Sequence, residues 1–446
     1  MTPFQRPSRR LSLMSAVKSS RLYILGSAIK AAVLEVRRNL NQEVLNRTLV
    51  SLEPEGSPKG TVLLSHVIDA FLLPPGKPIP LDHHHHWVAL QMAQTFLDLG
   101  YGVDVINFHN KTFWPRRDYA MMVDTRWNLE RLAPVLNADC IKVLHIDTAH
   151  PLFQNEAEAR RLLELQQRRG VTLKPWRFEV PHLGIEHADY ATMNGNRFSI
   201  ETFRYAGKQI FPVPVAAPVL YPWPDSKDWD SCRNHFLWLN SGGLVHKGLD
   251  LILEAFAEMP DCHLTVCGPI KHEKAFERTY YKELYETPNI HTVGWVDVSS
   301  DQFVALTKRC VGILSLSASE SRSGSVIGGM HAGLIPIVNY ESGVDVAGFG
   351  VLLPDSSVGG IKAAVQRIAA SPCSKLQAMA RGAWESARTH HTRERWTEVY
   401  RSAIDTIFRL HAGKTGADGL PQASIDMASS KRFAGSRVPP SIRRAN

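Results

Sequence analysis

Two runs of alternating strand-like and helix-like segments, parted by a proline-rich stretch, constrain this chain more than any other feature. The first run opens with TVLLSHVIDAFLL (61–73), a strand-like apolar run, and a loop, PPGKPIP (74–80). WVALQMAQTFLDLG (87–100) follows with helical spacing through Val88, Met92 and Phe96 and a C-capping Gly100. YGVDVINFHN (101–110) alternates like a strand, and IKVLHIDTAH (141–150) is a strand with a polar exit. NEAEARRLLELQQRRG (155–170) is a helix, acidic in its first turn and basic in its last. HADYATMNGN (187–196) adds a short strand and turn. The prolines of PVPVAAPVLYPWPDSKDWD (212–230) disfavour regular structure, so this segment is a linker. The rhythm then restarts with HFLWLNS (235–241), a glycine loop at 242–248, and a helix carrying Leu249, Ile252, Leu253 and Phe256 at i, i+3, i+4, i+7. HLTVCG, NIHTVGW, VGILSLS, LIPIVN and FGVLLP supply further short strands, and 375–411 reads as helix almost throughout. Strands alternating with helices predict an α/β fold of two Rossmann-like parallel-sheet domains, 56–211 and 231–390, facing across a cleft. A C-terminal helix is expected over 391–411.

A chain of 446 residues, 44% hydrophobic and 21% charged, can bury two such cores without disulfides. Its six cysteines are scattered with no C-x-x-C pair, which fits a reducing, cytoplasmic compartment. The formal net charge is +8, and part of it lies at the ends, in Arg6, Arg9, Arg10, Lys18 and Arg21, and in Lys431, Arg432, Arg437, Arg443 and Arg444. Such ends are solvated tails or touch an anionic membrane surface, which would place the protein at the inner membrane face; nucleic acid is not expected as a partner. No apolar run spans a bilayer. Residues 1–55 read as a basic extension with a helix over 16–48, and 412–446 as a disordered tail.

In open α/β sheets, ligands bind outside the carboxyl ends of the strands. Two turns there stand out. ASESRSGSVIGGMHAG (318–333) places Ser323, Gly324, Ser325 and Val326 where a helix begins, and the free N–H groups of a helix N-terminus bind anions. A tight turn needed only for packing would look the same. GGLVHKG (242–248) brings Lys247, with Gly243 and Gly248, to another strand-to-helix turn, where an ammonium could neutralise a phosphate. Arg322 could add charge. Glu320 is suited instead to accept hydrogen bonds from hydroxyls.

The run HFLWLNSGGLVHKGLDLILEAFAEMPDCHLTVCG, with SLSASESRSGSVIGGMHAGLIPIVN after it, resembles the nucleotide-sugar-binding domain of GT-B-fold glycosyltransferases, nearest the retaining group 1 (family 4) class. Lys247 and Gly248 match that family's lysine-glycine pair, and Glu320, Gly333 and Pro336 match its acidic loop and following turn. The resemblance implies transfer of a hexosyl group from a nucleotide sugar to a glycan, lipid-linked or small-molecule acceptor, with retention and with no metal or other cofactor. Two departures are visible. The family carries an arginine shortly before the lysine, and SGGL takes its place here. The family's second glutamate, eight positions after the first, is replaced by Gly328, so ribose would be held by Ser325 or by backbone groups.

In the first domain, DHHHHW (82–87) lacks zinc spacing, so a metal is not expected; its His83 or His86 could touch the donor or acceptor. His145 and Asp147 at a strand exit are candidates, with Glu320, for the catalytic set, and His150, Asn194 and Asn196 for the acceptor side. A nucleotide-sugar epimerase, or a degenerate GT-B protein that binds carbohydrate or a partner, remains an alternative.

Overall fold

The computed structural model describes residues 43–415 except 75, 82 and 83. The expected helix over 16–48 lies outside the described residues apart from 43–47, which are helical, and the tail beyond 415 lies outside them too.

The first sheet holds β1 (Leu49–Leu52), β2 (Thr61–His66), β3 (Gly102–Asn107), β4 (Met121–Asp124), β5 (Ile141–Ile146), β6 (Tyr190–Met193) and β7 (Gln209–Pro212). Their order is β1-β3-β2-β4-β5-β6-β7, and all pairs are parallel except β1 with β3. Strand β1 therefore belongs to the first domain and not to a separate extension ending at 55. The central strands are almost wholly buried because helices cover both faces, which is why they read as apolar runs. Helices α1 (His84–Asp98) and α2 (Pro151–Arg169) belong to this domain.

From 213 to 228 the chain has no helix or strand. The second sheet then forms from β8 (His235–Leu239), β9 (His263–Cys267), β10 (Ile290–Gly294), β11 (Gly312–Ser315), β12 (Ile335–Val338) and β13 (Val351–Leu352). Its order is β10-β9-β8-β11-β12-β13 with every pair parallel, a doubly wound arrangement. Helix α3 (Leu249–Ala257) follows β8, and α4 (Gly324–His331) follows β11.

The helical segment after 375 is two helices, α5 (Cys373–His390) and α6 (Arg393–Thr415), and the second runs past the expected end at 411. The break falls at His391, whose Nδ1 lies 3.1 Å from the Val215 carbonyl of the linker. The Ala217 N–H donates to the His391 carbonyl at 3.1 Å. The chain thus crosses back beside the linker, and α6 packs Trp396, Tyr400, Ile404 and Ile407 into the core of the first domain against Val88, Met92 and Phe96. Ion pairs fasten the domains together at the end of α2, where Arg168 meets Asp250 at 2.6 Å and Arg169 meets Glu283. Among the described residues no helix is long and apolar enough to cross a membrane.

Candidate active site

The order of the second sheet reverses between β8 and β11, so the turns leaving these two strands lie side by side. They are zipped together. The Ala318 N–H donates to the His246 carbonyl at 2.6 Å, and His246 Nε2 lies 2.7 Å from the Ser319 carbonyl. Gly248 has φ +72, and a Cβ there would stand 2.5 Å from the Leu316 carbonyl oxygen. Only glycine lets the two turns approach this closely. The approach brings the Lys247 ammonium onto the Glu320 carboxylate as an ion pair. Burial, and then Arg177, press the ammonium well below its usual pKa, while the Glu158 carboxylate opposes them.

Beside this pair begins α4. Its N-cap, Ser323, makes no side-chain capping bond, and the Ser323 N–H is spent on the Ser342 carbonyl. The first-turn N–H groups of Gly324, Ser325 and Val326 are left without a side-chain acceptor among the described residues. Gly324 and Ser325 line a cavity of about 820 Å³ between the domains, together with Lys247, Glu320, Arg322 and Ser323. That volume suits a ligand of nucleotide-sugar size.

The opposite wall comes from the carboxyl ends of the first sheet. Arg126, just past β4, lies 2.7 Å from Asp147, just past β5, and 3.5 Å from Glu179. His85 Nε2 lies 3.2 Å from the other oxygen of Asp147. Asn194, just past β6, is 1% exposed and lines the cavity, yet neither polar atom of its amide has a partner among the described residues. A buried amide without partners costs free energy unless a ligand satisfies it. The 319–323 loop crosses the cleft to this wall: Ser199 Oγ donates to the Ser321 carbonyl at 2.6 Å.

No protein-family model and no curated protein matches the chain. Solved structures do. The chain is similar to sucrose-phosphate synthase from Thermosynechococcus elongatus over 80% of its own length and 100% of that protein's, with a TM-score of 0.57 and 14% identity. Alpha,alpha-trehalose 6-phosphate synthase from Burkholderia multivorans aligns over 81% and 100%, with a TM-score of 0.54 and 10% identity. Anabaena HepE, solved with UDP and glucose, aligns over 78% and 100%, with a TM-score of 0.50 and 12% identity. The fold is GT-B. What these proteins share with the chain is architecture: two facing parallel-sheet domains with the cavity between them.

The GT-B cleft gathers Asp147, Asn194, Lys247, Glu320, Arg322, Ser323, Gly324 and Ser325 along one cavity. Other candidates lie elsewhere. His145 is fully buried and does not line the cavity; its Nδ1 lies 2.8 Å from Thr192 Oγ1, and burial pulls its pKa down to about 4. His150 caps α2, and its Nε2 lies 3.1 Å from the Tyr205 hydroxyl. Asn196 caps the short helix Arg197–Glu201 and donates to Asp345 at 3.0 Å. The Gly243 N–H donates to the Glu273 carboxylate, which removes it from phosphate binding. The Val326 side chain is buried in the core, so only its N–H bears on the cavity. Gly248 acts through backbone conformation. Arg322 is committed to the Gly195 carbonyl at 2.9 Å and to His391 at 3.2 Å. In the histidine run His84 and His85 line the cavity and His86 does not, while His83 lies outside the described residues. Sequence reasoning missed Arg126, Glu179 and His85. Arg126 had a signal, since it follows MMVD, a strand too short to stand out.

Proposed function

We propose that this protein is a glycosyltransferase that moves a hexosyl group from a nucleotide sugar to a hydroxyl of a glycan, lipid-linked or small-molecule acceptor. The observation that carries the reading is the uncapped N-terminus of α4 beside Lys247, in one cavity with the unpartnered Asn194 on the facing wall. The N–H groups and Lys247 would bind the donor diphosphate, and Glu320, displaced from Lys247 by it, would accept from sugar hydroxyls. In the reaction the bond from the anomeric carbon to the phosphate oxygen breaks, and its electron pair leaves with the diphosphate. The acceptor oxygen bonds to that carbon, and its proton passes to the departing phosphate or to solvent. Preorganised N–H dipoles and cations meet the growing charge, and no metal ion is needed for that task. Asp147, held by Arg126 and His85, and Asn194 would orient the sugar or the acceptor. Retention of configuration and a cytoplasmic location, with peripheral membrane contact for a lipid-linked acceptor, complete the reading.

One observation favours a second reading, a GT-B protein that binds its ligand without turnover. Gly328 lines the cavity where the resembled family carries an acid. Thermal-shift measurements with UDP, GDP and ADP sugars, on wild type and Lys247→Ala, separate the possibilities. Stabilisation lost in Lys247→Ala, with nucleotide released when acceptor is added, supports transfer. Stabilisation without release supports binding alone. If no nucleotide stabilises the protein, both readings fail.

A further inference from the structure

Among the described residues, four lysine and arginine side chains line the cavity: Arg126, Arg177, Lys247 and Arg322. Three of them already face an acid. Lys247 pairs with Glu320, Arg126 with Asp147 and Glu179, and Arg322 with Asp345 at 3.5 Å. Arg177 has no carboxylate within ion-pair distance among the described residues. Glu158 and Glu273 act on it through space, but both carboxylates accept from backbone N–H groups and neither touches the guanidinium. A nucleoside diphosphate brings at least two negative charges into this cavity. Among the described residues, Arg177 is the lysine or arginine of the cavity that makes no direct ion pair, and so the one placed to meet them.

The position of Arg177 is fixed with care. It comes from the first domain, on the segment after α2. Glu158 of α2 accepts from the N–H groups of Trp176 and Arg177 at 2.9 and 3.0 Å. Gln154 of α2 donates to the Arg177 carbonyl at 2.6 Å. With its backbone held at both groups, the side chain is delivered across the cleft onto the turn after β8. There a Cβ on Gly242 would stand 2.7 Å from Trp176 Nε1, and one on Gly243 would stand 2.6 Å from Arg177 Cγ. The two glycines of SGGL leave the room that Trp176 and Arg177 occupy. Arg177 is also close enough to Lys247 to lower its pKa, so the two cations bear on one region of the cavity.

Resting on the glycosyltransferase reading, we propose that Arg177 is a donor-binding residue that the first domain supplies from across the cleft to the diphosphate held by Lys247 and the N-terminus of α4. The arginine missing from the SGGL turn is thereby replaced from across the cleft. A guanidinium can grip a phosphate through two N–H groups, which an ammonium cannot. Because donor side and acceptor side both contribute, diphosphate binding and the docking of the two domains become one event.

The test is calorimetry with UDP, GDP and ADP, each beside its monophosphate, on wild type, Arg177→Gln and Arg177→Lys. Arg177→Gln should weaken the diphosphate that wild type binds by roughly 10- to 100-fold and the matching monophosphate by less. Arg177→Lys should recover part of the loss, with thermal unfolding of the unliganded proteins unchanged. Equal diphosphate binding by wild type and Arg177→Gln overturns the proposal and leaves the glycosyltransferase reading standing. Equal losses for mono- and diphosphate overturn it too, since Arg177 then only shapes the pocket. If wild type binds none of the three diphosphates, the glycosyltransferase reading falls and this proposal falls with it.

Discussion

Trp396 stacks on Tyr400 with ring centroids 4.7 Å apart and an interplanar angle of 16°, inside the core of the first domain although both belong to α6, which follows the second domain in sequence. Both side chains are fully buried. Helix α6 therefore completes a core built from the strands and helices of the first domain. Trp396→Ala should cost about 3 to 5 kcal/mol, as deletion of a buried aromatic does. Urea unfolding measures it, and a loss within about 0.5 kcal/mol, the range of surface substitutions, would show that α6 is not part of that core.

Lys247 and Glu320 are paired where water reaches neither freely, with side chains 6% and 14% exposed. Removing one partner of such a pair strands the other. Lys247→Met and Glu320→Gln should each destabilise the unliganded protein by about 3 kcal/mol, and the double variant by less than the two together. Unfolding of the four proteins gives the coupling energy. If it is zero, the two groups do not pair in solution.

The alternation of strands and helices was legible because parallel strands buried on both faces leave unbroken apolar runs, as in β2, β8 and β11. MMVD at β4 was not, because four residues carry no period and the strand is recognised only by its neighbours β2 and β5. Lys247 and the start of α4 could be read from the glycines that their close approach requires. Asp147 was found by its place at a strand end, but His145, two residues earlier, points into the sheet's own packing, and alternation alone could not say which of the two faces the cleft. Arg177 could not be read at all. Its role depends on a long-range meeting of 176–177 with 242–243, and nothing local marks that contact. The return of α6 to the first domain was likewise invisible, since a helix's apolar stripe does not name the core it fills.

Burial favours the neutral form of several of the described histidines, among them the buried His145, His246, His331 and His391 and the partly buried His182. Burial pulls His145, His182 and His331 down to about 4 and His391 to about 3. In the unfolded chain each titrates near 6.5, so the unfolded state binds more protons as pH falls from there toward 4. Their contribution to stability is fully present above that range and is lost on acidification, by up to about 3 kcal/mol for one such group. Asp250, which burial pushes up to about 6, opposes them, as do Asp124, Glu158 and Glu273, which burial also raises. The net expectation is a fall in urea midpoint between about pH 7 and 5, shallower in His145→Gln than in wild type. Parallel pH profiles for the two proteins would refute the assignment to His145.

Two adjacent glycines in α4 should respond oppositely to the same substitution. A Cβ on Gly328 would meet nothing within 4 Å, since that position opens on the cavity. Gly329 faces the sheet, where a Cβ would stand 2.8 Å from Ile313 Cδ1 and 3.0 Å from its Cγ2. Glycine inside a helix costs about 1 kcal/mol relative to alanine. Gly328→Ala should therefore stabilise the protein by about that amount, while Gly329→Ala should destabilise it by about 1 to 3 kcal/mol through overpacking. The same open space admits a longer side chain, so Gly328→Glu should fold and set a carboxylate into the cavity near Ser325. Melting curves of the three variants decide the point. Destabilisation by Gly328→Ala equal to that by Gly329→Ala would mean that residue 328 does not face the cavity.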